Sequence, residues 1–292
     1  MSLIGGRTRW VLFLSANGDA ETRHIQDLAF GLKCLESAGI NIADIDIYVD
    51  GSDRTSIENF IKSGTASACT VKTSRDFFTD QANNSHDNLV MFVTGHGGPA
   101  GLDALPVITP DALLKGIKES PNLKLAVIYL GQCYAGIFNY IGAGSKKPDD
   151  PQVIFIGATN LHESLSRSTS ETFVTGQQQW PANLFLLYAF KWFQNPTDVD
   201  GDGKFTIIDS YKYAGTHANI ANKRGKMQAF HDTPALRKRW EDADAAHRQN
   251  PTPTNKANLD ASATRYEKHI DTLYIHQECW ILNAIPAQST ER

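Results

Sequence analysis

Four uninterrupted apolar runs stand out in the first half of the chain. They are Trp10–Ser15, Leu89–Thr94, Leu125–Leu130 and Val153–Gly157. A strand that is apolar at every position, rather than at every second one, is typical of a parallel sheet covered on both faces. A fifth run, Ile45–Val49, alternates between apolar and polar residues and predicts a strand nearer an edge of the same sheet.

Segments with helical periodicity lie between these runs. Residues 21–38 place apolar side chains at helical spacing on one face, and Gly39 ends the pattern. Residues 54–63 and 110–119 repeat it, with Pro110 suited to a first helical turn. Strands and helices in alternation predict an α/β fold, a three-layer sandwich with a mostly parallel central sheet and helices on both faces.

The pattern changes after residue 180. Pro181 is expected to open an apolar helix over residues 182–193, and an amphipathic helix is expected over about 207–222. Residues 223–263 are polar and charged and predict helix and flexible loop, and residues 269–282 predict a last strand or hairpin. We expect a single domain in which residues 1–180 form the core and residues 181–292 a helical extension.

Composition narrows the class of protein. The chain has 292 residues, and 41% of them are hydrophobic, so disorder over the whole chain is not expected. The net charge of -4 is mild, so neither nucleic acid nor an anionic membrane is expected as the main partner. The only apolar core near the N-terminus, Val11–Ser15, is too short for a signal peptide. Four scattered cysteines without a CxxC pair predict a reduced, cytoplasmic protein without a disulfide framework or a zinc site.

One histidine and one cysteine end two of the apolar runs. His96 lies among glycines after Leu89–Thr94, and Cys133 follows Leu125–Leu130. Taken singly, such a histidine is usually polar surface and such a cysteine is usually a small core side chain. Parallel strands bring their carboxyl ends to one edge of the sheet, so the pair predicts an imidazole that activates a thiol. Backbone N–H groups of Gly97 and Cys133 are expected to hold an oxyanion.

Four stretches, in order, resemble the clan CD cysteine peptidases, the caspase–legumain group, and most of all the legumain-like branch. They are "WVLFLSANGDAETRHIQDLAFGL", "VMFVTGHGGPAGL", "AVIYLGQCYAGIF" and "FIGATNLHESLSRS", which together cover about residues 8–180. The resemblance implies a caspase-like fold and a cysteine endopeptidase that carries out limited proteolysis. It also implies Cys133 as the nucleophile and His96 as the general base and acid.

The same resemblance implies a substrate pocket built from Arg23, from Gly131 two residues before the nucleophile, and from Asn160 and Glu163 after the fourth strand. The chain departs from the family there. Gly131 stands where the family has an acid, a second pocket acid near Gly176–Gln177 is missing, and Glu21 stands where an asparagine assists the dyad. Recognition of Arg or Lys at P1 needs a desolvated carboxylate, so acidic or small polar P1 residues are favoured over basic ones, unless Asp19, Glu21 or Glu163 supplies the charge.

The stretch "DVDGDGKFTIID" has the spacing of an EF-hand loop. Its expected calcium ligands are Asp198, Asp200, Asp202, Lys204 through its carbonyl, Thr206 and Asp209, with Gly203 at the sharp turn. Asp209 replaces the usual bidentate Glu, and its shorter side chain predicts weaker binding. The alternative is an acidic turn between two helices. A bound calcium ion would activate the protein or only stabilise its C-terminal helices.

Two other functions fit the same residues. One is a non-catalytic calcium-binding scaffold, which the presence of both Cys133 and His96 disfavours. The other is a transamidase or peptide ligase that uses the same thioester. The segment 223–248 carries clustered lysines and arginines followed by acids, which is typical of a solvated helix face. The alternatives are a basic activation loop and a docking surface for a regulatory protein.

Overall fold

A computed structural model describes residues 2–145, 147, 149–274 and 279–292. Its centre is a seven-stranded sheet in the order β11-β8-β7-β4-β1-β2-β3, parallel except for β11. The strands are β1 (Thr8–Ser15), β2 (Ile45–Val49), β3 (Val71–Lys72), β4 (Asn88–Gly95), β7 (Leu125–Leu130), β8 (Gln152–Gly157) and β11 (Trp280–Leu282). The α/β class, the mostly parallel sheet and all five predicted strands are confirmed.

Helices cover both faces of the sheet. Before residue 166 these are α1 (Thr22–Ser37), α2 (Arg54–Lys62), α3 (Ser74–Ala82) and α4 (Pro110–Lys118), with short 3-10 helices at Ile42–Asp44 and Ala135–Tyr140. Alternate residues of β1 serve the two faces. Val11 belongs to the apolar cluster that includes Phe77 of α3 and Leu113 of α4. Its neighbour Trp10 meets Phe193 edge to face, at 5.4 Å between ring centroids, on the other face.

The chain from residue 166 to 194 differs from the prediction. A hairpin, β9 (Ser166–Phe173) and β10 (Gly176–Asn183), precedes helix α5 (Leu184–Gln194). The expected helix start at Pro181 is wrong, because Pro181 lies in β10 and the Asn183 side chain caps α5 by accepting the Leu186 N–H at 3.1 Å. Serine hydroxyls and glutamine amides pair across the hairpin, for example Gln177 with Ser170. Such polar strands carry no apolar period that a sequence pattern could detect.

The C-terminal helices are longer than expected. Helix α6 spans Ile207–Gln249, so the predicted end near residue 222 is wrong, whereas the helix predicted within residues 223–263 is confirmed. The break comes at residues 250–252, and α7 (Pro253–Tyr274) follows with proline in its first turn. Of the predicted last strand or hairpin, residues 269–274 are helical, 275–278 lie outside the described residues, and 280–282 form β11.

Two compact units divide the chain, Met1–Ala218 with Gln277–Arg292, and Asn219–His276. The first contains the sheet, with the small strands β5 (Gly97–Gly98) and β6 (Gly101–Leu102) beyond β4 and helix α8 (Ala284–Ala287) after β11. In the second, Trp240 stacks on Tyr266 with ring centroids 5.5 Å apart. Among the helices of the described residues, none is both long enough and apolar enough to cross a bilayer.

Candidate active site

The carboxyl ends of four parallel strands bring the candidate residues to one edge of the sheet. Glu21 and His24 follow β1, His96 follows β4, Cys133 follows β7, and the segment 160–164 follows β8. In an open parallel sheet this edge is where ligands bind. The topology therefore places the predicted histidine and cysteine on neighbouring strands, as their positions after the apolar runs indicated.

The backbones that carry His96 and Cys133 are in contact. In the β4–β7 register Val93 pairs with Leu130, so His96 and Cys133 each stand three residues beyond the same pair. A Cβ built on Gly97 would lie only 2.3 Å from the Cys133 carbonyl oxygen. Only glycine permits this approach, which explains why a glycine follows the histidine.

The Cys133 thiol is partly exposed and receives a hydrogen bond. The Ser164 N–H donates to its Sγ at 3.3 Å, and the next residue, Tyr134, donates its N–H to the His162 carbonyl at 2.7 Å. Tyr134 has a φ of 55°, so the chain turns sharply just after Cys133. Within the described part of the chain the Cys133 N–H donates to no other group, which leaves it free to bind an oxyanion.

The His96 imidazole is hydrogen-bonded to a carboxylate. Its Nε2 lies 2.8 Å from Glu21 Oε1, while Glu21 Oε2 accepts a hydrogen bond from Arg23 Nε at 2.5 Å. The hydrogen bond from Arg23, and then that from His96, lower the pKa of Glu21 to about 2. In this conformation the imidazole faces Glu21, and the thiol is held by Ser164.

A buried network lies behind this pair. The His24 ring meets the His96 ring edge to face, with centroids 5.3 Å apart. His24 Nδ1 lies 3.2 Å from Thr94 Oγ1, and Thr94 donates its hydroxyl hydrogen to Asp27 Oδ2 at 3.1 Å. Asp27 Oδ1 accepts hydrogen bonds from Trp180 Nε1 at 2.9 Å and from the Asn183 N–H at 3.1 Å. These contacts tie α1, β4 and β10 together beneath the site.

The predicted substrate-binding residues lie in different environments. Arg23 is partly exposed, and its Nη1 donates to Ser166 Oγ at 3.0 Å. Gly131 is buried; its carbonyl accepts a hydrogen bond from Asn183 Nδ2 at 2.5 Å, and a Cβ there would lie 2.7 Å from Leu186. A side chain at position 131 has no room, because Leu186 and Asn183 fill the space that an acid there would need.

The two residues after β8 are exposed. The Asn160 carbonyl accepts a hydrogen bond from the Gly136 N–H at 3.2 Å, so Asn160 lies against the loop that follows Cys133. The Glu163 side chain is exposed one residue before Ser164, whose N–H reaches the thiol. Segment 160–164 therefore borders Cys133, although its side chains face solvent.

Three of the expected calcium ligands converge. Carboxylate oxygens of Asp198, Asp200 and Asp202 lie within 4.8 Å of one another. Hydrogen bonds from the backbone N–H groups of Gly203 and then Gly201 lower the pKa of Asp198. Gly203 has a φ of 84°, which matches the sharp turn expected there.

The fourth expected carboxylate has another environment. Asp209 is fully buried, and its two oxygens accept hydrogen bonds from the N–H groups of Val199, Asp200 and Thr206 and from the Thr206 hydroxyl. It therefore closes the loop onto the start of α6. The Lys204 N–H donates to Asp202 Oδ1 at 2.8 Å.

Sequence reasoning missed the roles of four residues in the site, Glu21, His24, Ser164 and Asn183. Glu21 was expected only as a departure from a family pattern, and the contributions of Ser164 and Asn183 come from backbone or loop positions with no motif of their own. His24 carried one signal, its place beside Arg23 just after the first strand. The chain matches no family model and no curated protein.

Proposed function

We propose that the protein is a cysteine endopeptidase with a caspase-like fold, in which Cys133 attacks the peptide carbonyl and His96 transfers the proton. The observation that carries the proposal is the contact of the Gly97 backbone with the Cys133 carbonyl at the carboxyl edge of a parallel sheet. It places the residues that carry an imidazole and a partly exposed thiol at neighbouring strand ends, where such folds bind ligands.

The chemistry follows from these groups. A thiolate is the nucleophile, and the N–H of Ser164 at 3.3 Å stabilises negative charge on Sγ. The attack forms a tetrahedral oxyanion, to which the N–H groups of Cys133 and Gly97 are suited. His96 then protonates the leaving amine, and water attacks the thioester to release the acid and restore the thiol.

Glu21 is a positioning residue for this reaction. Its carboxylate holds His96 Nε2 at 2.8 Å, which leaves Nδ1 as the nitrogen that exchanges a proton with the thiol. A carboxylate bound to one ring nitrogen orients an imidazole and stabilises the imidazolium that forms when the other nitrogen takes a proton. The ring must swing towards Cys133 during the reaction, and the half-exposed position of His96 gives it the room to do so.

The surroundings favour small polar or acidic P1 residues over basic ones. The space at position 131, where an acid would bind Arg or Lys, is filled by Leu186 and Asn183. Arg23 presents a cation whose Nε is paired with Glu21 and whose Nη1 donates to Ser166. Basic P1 residues would meet this guanidinium, and its partner Glu21 is already engaged by His96.

Calcium is proposed as a stabiliser of the loop 198–209. Three carboxylates converge at the EF-hand spacing, but Asp209 is engaged by the loop backbone, so the bound ion would rely on the other acids, carbonyls and water. Addition of calcium is expected to raise the melting temperature, and EDTA to reverse the rise. If neither addition changes the melting temperature, calcium does not stabilise this loop. Four free cysteines support a reducing, cytoplasmic location.

The test is a peptide library that varies the P1 residue. Wild type is expected to cleave after small polar or acidic residues, Cys133→Ala to be inactive, and Cys69→Ala, a control at a cysteine away from the site, to match wild type. Cleavage that survives Cys133→Ala ends the proposal. Complete inactivity of wild type favours the scaffold, and transfer of the acyl group to an added amine favours the transamidase.

A further inference from the structure

We propose that Glu21, His24 and His96 form a binding site for a transition-metal ion, with Zn²⁺ as the best fit. One carboxylate oxygen of Glu21 and one ring nitrogen of each histidine lie within 4.8 Å of one another. Two imidazoles and a carboxylate are a donor set that zinc prefers, and they leave a fourth position open. The acidic loop 198–209 has only oxygen donors and suits a harder ion.

An unpaired buried nitrogen is the second observation. His24 is 4% exposed, and its Nε2 has no hydrogen-bond partner among the described residues. A buried polar atom without a partner destabilises the fold, because it has lost its hydrogen bonds to water. A metal ion would satisfy this atom.

The hydrogen bonds of His24 fix which nitrogen is free. Thr94 has a single hydroxyl hydrogen, which it donates to Asp27, so its oxygen must accept a hydrogen from His24 Nδ1. A neutral imidazole with its hydrogen on Nδ1 carries a bare lone pair on Nε2. Metal-ligating histidines characteristically donate their other N–H to a carboxylate or hydroxyl in this way.

The other two ligands can reach the ion. Glu21 and His96 are each about half exposed, so the site opens to solvent and both side chains can rotate. Zinc-to-nitrogen bonds of about 2.1 Å require the ligand atoms to be somewhat closer than their present upper limit of 4.8 Å. The ion would replace the hydrogen bond between Glu21 and His96.

Metal binding has a consequence that rests on the proposed peptidase function. An imidazole that ligates zinc cannot take the proton of the Cys133 thiol, so Zn²⁺ would inhibit peptide cleavage reversibly. The difference from a family asparagine at position 21 matters here, because a carboxylate is the better zinc ligand.

The experiment measures metal binding without reference to activity. Titration calorimetry with Zn²⁺, and the visible absorption of Co²⁺ as a probe of coordination, are applied to the whole chain. Wild type is expected to bind one ion. Glu21→Gln and His24→Asn are expected to weaken binding by roughly tenfold or more each. Asparagine retains a donor near the place of Nδ1 for Thr94 but removes Nε2.

Controls separate this site from other metal-binding groups and from misfolding. Asp200→Asn in the acidic loop, and Cys133→Ala, are expected to bind Zn²⁺ as wild type does. His96→Gln, at an exposed ligand, gives a third variant whose folding is not in question, and circular dichroism checks the others. Absence of binding by wild type, equal binding by the three ligand variants, or a tenfold loss in Cys133→Ala would overturn the assignment. A protein that binds Zn²⁺ but shows no peptidase activity even when it is metal-free would refute the proposed function while leaving the metal site intact.

Discussion

Gly97→Ala tests the contact on which the candidate active site depends. The added Cβ would lie 2.3 Å from the Cys133 carbonyl oxygen and 2.5 Å from the Gln132 side chain. The first neighbour is backbone and cannot rotate away, so one of the two strand ends must move. Overpacking of this kind costs typically about 1–3 kcal/mol, and the rigid neighbour places Gly97→Ala near the upper end.

The assay is urea denaturation followed by tryptophan fluorescence, with thermal melting as a second measure. A loss of about 3 kcal/mol corresponds to a fall in melting temperature of roughly 6–12 °C for a unit of this size. Gly98→Ala is the matched control, because a Cβ on Gly98 would meet nothing within 4 Å. If the two variants unfold within about 0.5 kcal/mol of each other, a difference that surface substitutions also show, the two backbones are not in contact as described.

Three further outcomes follow from the surroundings of the site. Gly131→Ala should destabilise the protein by about 1–2 kcal/mol, because the added methyl group would compete with the Leu186 side chain for one space. The loss should be smaller in a Leu186→Ala background, and an additive double-mutant cycle would contradict this. Iodoacetamide should modify Cys133 well before Cys34, because burial raises the pKa of Cys34 to about 12; mass mapping that finds Cys34 modified first would refute it. Asp209→Asn should lower the free energy of unfolding, measured by urea denaturation, by about 2–4 kcal/mol, because an amide NH₂ would face backbone donors. An unchanged midpoint would show that the loop does not depend on this carboxylate.

The sequence predicts the centre of this fold better than its periphery. Five strands and the helices α1, α2 and α4 follow from apolar runs and helical periodicity, because a strand buried on both faces is apolar at every position. The β9–β10 hairpin leaves none, because residues such as Ser170 and Gln177 pair through polar side chains. The length of α6 was underestimated, because its second half carries charged residues that resemble a loop in composition.

The same contrast holds for the candidate site. His96 and Cys133 could be predicted because each follows an apolar run. The two strands formed by these runs are neighbours in the sheet, so the two residues lie at adjacent strand ends. Glu21 and His24 lie in the turn and first helical residues after β1, and only the register of β1 with β4 shows that they meet His96. The filled space at Gly131 depends on Leu186, more than fifty positions later in the chain, which no local pattern reveals.

Strand β11 has a consequence for how the chain folds. It pairs antiparallel with β8, and Trp280 lies over Gly157 and donates its indole N–H to the Thr159 carbonyl, 121 residues away in sequence. Closing a flexible loop of that length costs roughly 4 kcal/mol of chain entropy, less if the inner unit Asn219–His276 is already compact. Until β11 arrives, the apolar strand β8 presents an unpaired edge, and unpaired edges are where partly folded chains associate. Pairing of β11 with β8 thus governs how long the partly folded chain exposes this edge to association.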